Sequence, residues 1–225
     1  MTKCMGYGAL ATDYDGTLAE AGSVNAATVT ALERAKRSGL RLVLVTGREL
    51  ADLINVFPRH GIFDRIVAEN GAVLCEPATG RVRTLAEPPP PALVDALTRQ
   101  NVPFTTGRAI LATAEPHEHA VLSAIHALGL EWHVIFNKGA VMVLPGGVTK
   151  ATGLASALEE LNVAADRTVG VGDAENDNAL LSACGMAVAV ANATPSLKAE
   201  ADVVTAGSHG AGVEELIDRL IEGKL

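Results

Sequence analysis

The sequence predicts an α/β protein: a doubly wound, Rossmann-like parallel sheet with a small α+β module inserted into it. Short apolar runs alternate with stretches of helical periodicity from residue 7 to residue 71, as is typical of parallel sheets. The four prolines at 88–91 then interrupt this pattern, and proline runs are typical of spacers or domain boundaries. The first pattern resumes after Pro145. We therefore expect one core domain that is divided by an insertion.

The first part of the core is predicted to contain three strands and two helices. Asn25 is a suitable N-cap for the first helix, and Gly39 is a suitable residue to end it. Pro58 is expected to stop the second helix. In chain order, the predicted elements are a strand over 7–11, a helix over 25–38, a strand over 40–45, a helix over 49–57 and a strand over 65–68.

Residues 85–145 are predicted to form the inserted module, and residues 1–84 and 146–225 are predicted to form the core. A turn at 137–139 joins the last two strands of the module, as in a hairpin. The predicted elements are helices over 91–99 and 116–128 and strands over 109–113, 131–136 and 140–144.

The core pattern then continues to the end of the chain. Thr149 can cap a helix over 150–161. The following strand ends at Asp173, and a helix passes through Leu180 and Leu181. A strand over 186–190 and an amphipathic helix over 210–221 complete the predicted fold.

Charge and cysteine usage limit the kind of partner. The 225 residues carry a formal net charge of −8, which argues against nucleic-acid and membrane-surface partners because both favour basic patches. Cys4, Cys75 and Cys184 have neither metal-site nor disulfide spacing, so we expect a cytoplasmic protein. No apolar run approaches the ~18–20 residues of a membrane span.

Polar residues follow four predicted strands of the core. The carboxyl ends of parallel strands meet at one edge, where ligands bind in open α/β sheets. Lys150 begins a helix that enters the same region. The residues at the strand ends are Asp13 and Asp15, Thr46, Asp173, and Asn192.

This set of residue types suits phosphoryl transfer. Asp13 can attack phosphorus as a carboxylate nucleophile, although repulsion by the phosphate amounts to roughly 4 kcal/mol at ~4 Å. Lys150 can offset that repulsion, and Asp15 can protonate the leaving oxygen and then activate water. Asp13 and Asp173 are hard oxygen ligands that suit Mg²⁺. The hydroxyl of Thr46 and nearby backbone N–H groups can bind phosphate oxygens.

Asp177 lies four residues after Asp173 and could orient Lys150 or a metal-bound water. Each residue also has an ordinary interpretation when it is taken alone. Asp173 could be an N-cap, Asn176 and Asp177 could belong to a first helical turn, and Lys150 could be a solvated lysine. The order of the whole set is therefore the stronger observation.

Four stretches, DYDGTLA, VTGR, the lysine of GVTKATGL, and GDAENDNALL, resemble the four motifs of the haloacid dehalogenase superfamily of phosphohydrolases. The resemblance implies Asp13 as nucleophile, Asp15 as general acid/base and Lys150 as charge stabiliser. It implies Mg²⁺ bound by Asp13, Asp173 and the backbone carbonyl of Asp15. It also implies phosphate binding by Thr46, Gly47 and Asn192, with support from Arg48, Asn70, Asn176 and Asp177.

The position of the insertion, together with AENGA and ANATPSLKAEAD, resembles the type IIB, Cof-like branch, in which an α/β cap covers the site. Sugar-phosphate, sucrose-phosphate and archaeal phosphoglycolate phosphatases belong to that branch, and the short chain resembles the phosphoglycolate type most. Tyr14 departs from the usual small or β-branched residue, but its side chain is expected to point away from Asp13 and Asp15. Lys138, at the predicted hairpin turn, is the preferred candidate for contacting a substrate anion. Arg48 could face the leaving group or pair with an acid of the core.

We therefore predict a Mg²⁺-dependent hydrolase of a small anionic phosphorylated metabolite, monomeric or homodimeric, that forms an aspartyl-phosphate. A phosphotransferase or mutase with the same intermediate is the alternative. A receiver-like module that binds metal or phosphate without turnover is a more distant one. A dinucleotide-binding protein is disfavoured because no G-x-G-x-x-G follows the first strand.

Overall fold

The computed structural model describes residues 6–137 and 139–225. In chain order the strands are β1 (Ala9–Thr12), β2 (Arg41–Val45), β3 (Arg65–Ala68), β4 (Val73–Glu76), β5 (Arg81–Thr84), β6 (Thr105–Thr106), β7 (Leu111–Ala114), β8 (Trp132–Asn137), β9 (Ala140–Pro145), β10 (Thr168–Gly172), β11 (Met186–Ala189) and β12 (Val203–Val204). The helices are α1 (Ala26–Arg37), α2 (Leu50–Val56), α3 (Pro91–Arg99), α4 (Glu118–Ala127), α5 (Lys150–Leu161), α6 (Asn178–Ser182), α7 (Pro195–Glu200) and α8 (His209–Ile221). None of these helices is long and apolar enough to cross a membrane.

The larger sheet has eight strands in the order β12-β11-β10-β1-β2-β3-β4-β5. The six neighbouring strands β12, β11, β10, β1, β2 and β3 are parallel, and β1 lies between β10 and β2. The predicted doubly wound α/β core is therefore confirmed. Strands β4 and β5 extend one edge as an antiparallel hairpin that the sequence pattern did not predict. The outer strand β5 has the sequence Arg-Val-Arg-Thr and is largely exposed. It therefore lacks the apolar run that predicts a buried strand.

Apolar side chains pack on both faces of the larger sheet. On one face, Leu32 of α1 and Val213 of α8 belong to a cluster that includes Leu44 of β2. On the other face, Leu154 of α5 packs in a cluster with Val43 of β2. All five side chains are fully buried. Helices on both faces of one sheet leave its carboxyl-terminal edge as the accessible place for a site.

The smaller sheet has four antiparallel strands in the order β6-β7-β9-β8. One face packs against α3 and α4 through a cluster that includes Leu97, Val121 and Val143. The other face contributes Met142 to a cluster with Ala72, which lies between β3 and β4 of the larger sheet. The smaller sheet is therefore apolar on both sides, and one side turns toward the larger sheet. The division of the chain at residues 85 and 145 stays a prediction.

Local sequence signals explain the start of two helices that pack on the larger sheet. The side chain of Asn25 accepts a hydrogen bond from the backbone N–H of Thr28 at 2.8 Å, as expected for the N-cap of α1. At α5, the Thr149 hydroxyl accepts from the N–H of Thr152, and the Thr152 hydroxyl accepts from the N–H of Thr149. This reciprocal cap fixes the first turn of α5, which begins at Lys150.

Several short elements differ from the sequence predictions. The stretch after Ala174 begins with a 3₁₀ turn over Glu175–Asp177, and α6 follows it. Helix α4 begins at Glu118 and β7 begins at Leu111, each two residues later than predicted. Strands β6 and β12 and helix α7 were not predicted. The two strands have two residues each, too few to show alternation in a sequence.

Candidate active site

Two strand ends and one helix start meet at the carboxyl-terminal edge of the larger sheet. Asp13 follows β1, Asp173 follows β10, and Lys150 is the first residue of α5. The Lys150 Nζ lies 2.6 Å from Asp13 Oδ1 and 2.6 Å from Asp177 Oδ1. All four residues are at least nine-tenths buried. The structure therefore brings together residues that are up to 164 positions apart, as the sequence predicts for parallel strand ends.

Oxygen atoms of Asp13, Asp173 and Asp177 all lie within 4.8 Å of one another. The Thr17 hydroxyl donates to Asp173 Oδ1 at 3.2 Å. Asp177 Oδ2 accepts the backbone N–H groups of Asp173 and Ala174 at 3.0 and 3.1 Å. Asp177 thus holds both Lys150 and the loop that carries Asp173, which suits the supporting role that the sequence predicts for it.

Three buried carboxylates face one ammonium in this cluster, so the negative charge is in excess. Burial and the charge of Asp177 raise the pKa of Asp13 to about 7, although Lys150 acts in the opposite direction. For Lys150, burial disfavours the ammonium, but the charges of Asp13 and Asp177 outweigh burial and raise its pKa. The charges differ for the two groups: Lys150 faces two carboxylates, whereas Asp13, besides being buried, faces two further carboxylates and a single ammonium.

The donor set of this cluster fits a divalent cation. The atoms are carboxylate oxygens, which are the hard ligands that Mg²⁺ prefers. The excess of negative charge is a second observation in favour, because buried like charges that are not compensated are costly. Asp13, Asp173 and Asp177 could therefore hold a metal ion. The sequence predicted Asp13 and Asp173 as side-chain ligands and placed Asp177 beside them.

The side chain of Asp15 pairs with Arg48. Arg48 Nε lies 2.7 Å from Asp15 Oδ2, and Nη2 lies 2.8 Å from Oδ1, which is a bidentate pair. The remaining Nη1 lies 2.5 Å from Asp52 Oδ2. The hydrogen bond that Arg48 donates to Asp15 is the largest of the influences that raise the pKa of Arg48. Of the two alternatives for Arg48, the structure shows the pair with an acid.

Tyr14 lies between the two aspartates in sequence but points into the core. It is fully buried, and its ring centroid is 5.9 Å from that of Phe57. Its hydroxyl donates to the carbonyl of Gly22 at 3.1 Å. The Arg48 guanidinium carbon lies 5.5 Å from the Tyr14 ring centroid, so Tyr14 also supports the pair between Arg48 and Asp15.

Thr46 and Gly47 form the turn that follows β2. Thr46 is 1% exposed, and its hydroxyl accepts the N–H of Arg48 at 3.1 Å. A Cβ atom on Gly47 would lie 3.2 Å from the side chain of Asn70 and 3.3 Å from the sulfur of Met142. Glycine therefore lets this backbone approach the smaller sheet closely. We call residues 46–48 the phosphate loop, after the function that the sequence predicts for Thr46 and Gly47.

Asn70 is fully buried beside the phosphate loop. Its backbone is left-handed, with φ of 51°, and its Nδ2 lies 3.0 Å from the sulfur of Met142. Its Oδ1 and the Oδ1 of Asn176 are buried without a hydrogen-bond partner among the described residues. Asn176 also lines the cavity described below. Both predicted supporting residues therefore present amide oxygens near the site.

Asn192 contacts the site through the backbone of the loop that carries the aspartates. Its Nδ2 donates to the carbonyl of Gly16 at 2.8 Å, and its Oδ1 accepts the N–H of His209 at 2.7 Å. The His209 Nδ1 also lies 2.8 Å from the Gly16 carbonyl. The contact of His209 was missed by sequence reasoning because the residue lies at the start of α8 and outside every motif. Phosphate binding by Asn192 stays a prediction.

A cavity of about 610 Å³ lies between the two sheets, a size typical of sites for small molecules. Asp13, Asp15 and Arg48 line its base, and Ile110 and Met142 line its wall on the smaller sheet. Lys138, the preferred candidate for substrate specificity, lies outside the described residues. Its neighbour Asn137 lines the cavity.

Comparisons with known proteins identify the family of this chain. Residues 10–105 and 133–217 match the family of haloacid dehalogenase-like hydrolases. A phosphoglycolate phosphatase from Methanothermobacter thermautotrophicus is 31% identical over 222 residues, which cover 95% of this chain and 98% of that protein.

Solved structures share the fold at lower identity. A haloacid dehalogenase-like hydrolase from Bacteroides thetaiotaomicron superposes with a TM-score of 0.80 at 20% identity, covering 95% of this chain and 99% of that one. A subclass IIB sugar phosphatase superposes with a TM-score of 0.77 at 21% identity, covering 94% of this chain and 98% of that one.

Proposed function

Since this chain belongs to the haloacid dehalogenase-like hydrolase family, we propose that it is a Mg²⁺-dependent phosphatase that acts on a small phosphorylated metabolite through an aspartyl-phosphate on Asp13. The prediction of a phosphatase of this superfamily is confirmed by the family match and by the curated relatives. The metal, the intermediate and the substrate belong to the proposal. The observation that carries it is the buried cluster of three carboxylates, two of which contact Lys150, at the base of a cavity.

Asp13 is the nucleophile in this proposal. Lys150 holds its Oδ1 by a hydrogen bond of 2.6 Å, which leaves the other carboxylate oxygen to attack phosphorus. The bond from Asp13 to phosphorus forms as the bond from phosphorus to the leaving oxygen breaks. Lys150 also lowers the repulsion between the carboxylate and the incoming phosphate.

Asp13, Asp173 and the backbone carbonyl of Asp15 would hold Mg²⁺, with Asp177 beside them. When it is bound, Mg²⁺ offsets the negative charge of the carboxylates and of the substrate phosphate. The excess negative charge of the cluster and the raised pKa of Asp13 support the need for a cation there.

Asp15 is the general acid and base. It gives a proton to the leaving oxygen in the first step. In the second step a water attacks phosphorus, Asp15 takes a proton from that water, and the bond to Asp13 breaks. The bidentate pair with Arg48 fixes this carboxyl group among the residues that line the cavity.

Thr46 and the N–H of Gly47 would bind the phosphate oxygens, and Asn192 would support the same site through the Gly16 carbonyl. The smaller sheet would serve as a cap over the leaving group, with Lys138 as a candidate contact. The curated relatives support phosphoglycolate as the first substrate to test, and sugar phosphates follow. We further propose a cytoplasmic monomer or homodimer that has no nucleic-acid partner.

A panel of phosphorylated metabolites that includes phosphoglycolate and hexose phosphates tests the proposal, with kcat/KM measured for each. We expect hydrolysis in MgCl₂, none in EDTA, and none by Asp13→Asn. Asp95→Asn, on the exposed side of α3, is the matched control and should behave as the wild type. Activity that survives in both EDTA and Asp13→Asn would contradict the mechanism. Transfer to an added sugar in preference to water would favour the phosphotransferase alternative.

A further inference from the structure

Glu69 makes a buried contact between the two sheets. It follows β3 of the larger sheet and is 2% exposed. Its Oε1 accepts the backbone N–H of Arg108 at 3.0 Å, and its Oε2 accepts those of Ala109 and Ile110 at 2.8 and 3.0 Å. We call residues 107–110, which precede β7 of the smaller sheet, the anchor loop. One carboxylate thus satisfies three consecutive backbone donors of the anchor loop.

Gly107 shows how closely the anchor loop encloses this carboxylate. A Cβ atom on Gly107 would lie 2.6 Å from the Cδ of Glu69 and 2.6 Å from its Oε1. Real Cβ atoms do not come so close to other heavy atoms. A side chain at position 107 and the carboxylate of Glu69 therefore cannot both occupy their places in this arrangement.

The backbone at Glu69 is held in an uncommon conformation. Glu69 and Asn70 both have φ of 51°, a left-handed region that residues with side chains adopt rarely. The N–H of Glu69 donates to the carbonyl of Arg48 at 2.9 Å, and the N–H of Asn70 donates to the carbonyl of Thr46 at 3.0 Å. The turn is thus bonded directly to the phosphate loop.

The same turn also contacts the helix that carries Lys150. A Cβ atom on Gly71 would lie 2.0 Å from the carbonyl oxygen of Thr149, which caps α5. The turn over Glu69–Gly71 therefore lies in contact with the phosphate loop, with the start of α5 and, through its carboxylate, with the anchor loop.

Resting on the proposed function, we propose that Glu69 is a positioning residue that fixes the anchor loop relative to the phosphate loop and to Lys150. Ile110, whose N–H it accepts, lines the cavity opposite Asp13 and Asp15. Fixing this wall sets where the leaving group lies when the phosphoryl group occupies its own site. Glu69 therefore affects the binding of the leaving group. The phosphoryl group is bound by other residues, those at the carboxyl-terminal edge of the larger sheet.

Glu69→Gln tests this assignment with little change in shape. The glutamine amide has one oxygen, whereas the two oxygens of Glu69 accept three N–H groups. The NH₂ of the glutamine would face a backbone N–H, and two donors cannot form a hydrogen bond. We expect KM for the preferred metabolite of the panel to rise about tenfold or more. The inhibition constant of orthovanadate, which occupies only the phosphoryl site, should change less than about twofold. Asp64→Asn is the matched control, since Asp64 accepts a backbone N–H within the larger sheet and should leave both constants unchanged.

Gly107→Ala provides an independent variant in case substitution of Glu69 impairs folding. It should raise KM as Glu69→Gln does, because the new methyl displaces the carboxylate. In a Glu69→Ala background, Gly107→Ala should add little, since the clashing group is absent. Additive effects, an unchanged KM, or equal changes in KM and in the vanadate constant would overturn the assignment.

Hydrogen–deuterium exchange separates this inference from the proposed function. If the wild type hydrolyses nothing in the panel, the proposed function fails, but the contact between Glu69 and the anchor loop can still be tested. The amides of Arg108, Ala109 and Ile110 should then exchange about tenfold faster or more in Glu69→Gln than in the wild type or in Asp64→Asn. Unchanged protection of these amides would overturn the anchoring role itself.

Discussion

Asp13→Asn should stabilise the metal-free protein at neutral and alkaline pH while it abolishes activity. The Asp13 carboxyl is buried with two other carboxylates and one ammonium, and its pKa rises from 3.8 to about 7 on folding. The folded protein therefore keeps a proton on Asp13 where the unfolded chain has already released it. The contribution of Asp13 to the free energy of unfolding therefore falls as the pH rises from about 4 to about 7.

The size of this effect follows from the same two values. The difference between 3.8 and about 7 corresponds to at most about 4 kcal/mol, of which about 3 kcal/mol falls between about pH 5 and pH 8. Asparagine does not titrate, so the free energy of unfolding of Asp13→Asn does not undergo this pH-dependent decrease. Its stability relative to the wild type should therefore rise by up to about 3 kcal/mol over that interval.

Urea unfolding in EDTA at a series of pH values measures this difference. Asp95→Asn is the control because its carboxyl group is exposed. Adding MgCl₂ at about a hundred times its dissociation constant should stabilise the wild type by about 3 kcal/mol and Asp13→Asn by much less. Parallel stability profiles of the wild type and Asp13→Asn across this pH range would refute the reasoning about the carboxylate cluster.

Three further substitutions test the groups around Asp13. Lys150→Met should lower the free energy of unfolding by about 3–5 kcal/mol, measured by urea unfolding, because it leaves buried carboxylates without their ammonium; a stability equal to the wild type would contradict this. Arg48→Lys should lower kcat by about tenfold in steady-state assays, because lysine cannot form the bidentate pair that orients Asp15; an unchanged kcat would count against that orientation. Asn192→Ala should lower kcat/KM by about tenfold, since the Gly16 carbonyl loses a donor at 2.8 Å; unchanged kinetics would remove Asn192 from the site.

Much of the core could be predicted because its strands are apolar and buried. The bounds of β3, α3 and α5 are as the sequence predicts, and each has a clear local signal. Strand β3 is a short apolar run that ends before the turn Glu69-Asn70-Gly71, α3 has a proline at its start, and α5 has a threonine cap. The hairpin of β4 and β5 could not be found in this way. Arg81 and Arg83 of β5 are exposed and pair with Glu160 of α5, a contact that only the folded chain creates.

The meeting of Asp13, Lys150 and Asp173 could be predicted because parallel strands place their carboxyl ends on one edge. The pair of Asp15 with Arg48 remained open, since either orientation of the arginine is compatible with the sequence. Glu69 gave no signal as an anchor because its partners are backbone N–H groups of a distant loop. Every residue except proline has a backbone N–H, so residue type does not reveal such donors.

The most direct test of the central claim is to quench the enzyme with acid during turnover of a radiolabelled phosphomonoester. We predict one labelled phosphoryl group per enzyme at most, released by hydroxylamine and located on the peptide that contains Asp13. Turnover without any labelled enzyme, or label on a peptide that lacks Asp13, would contradict the claim that this carboxylate attacks phosphorus.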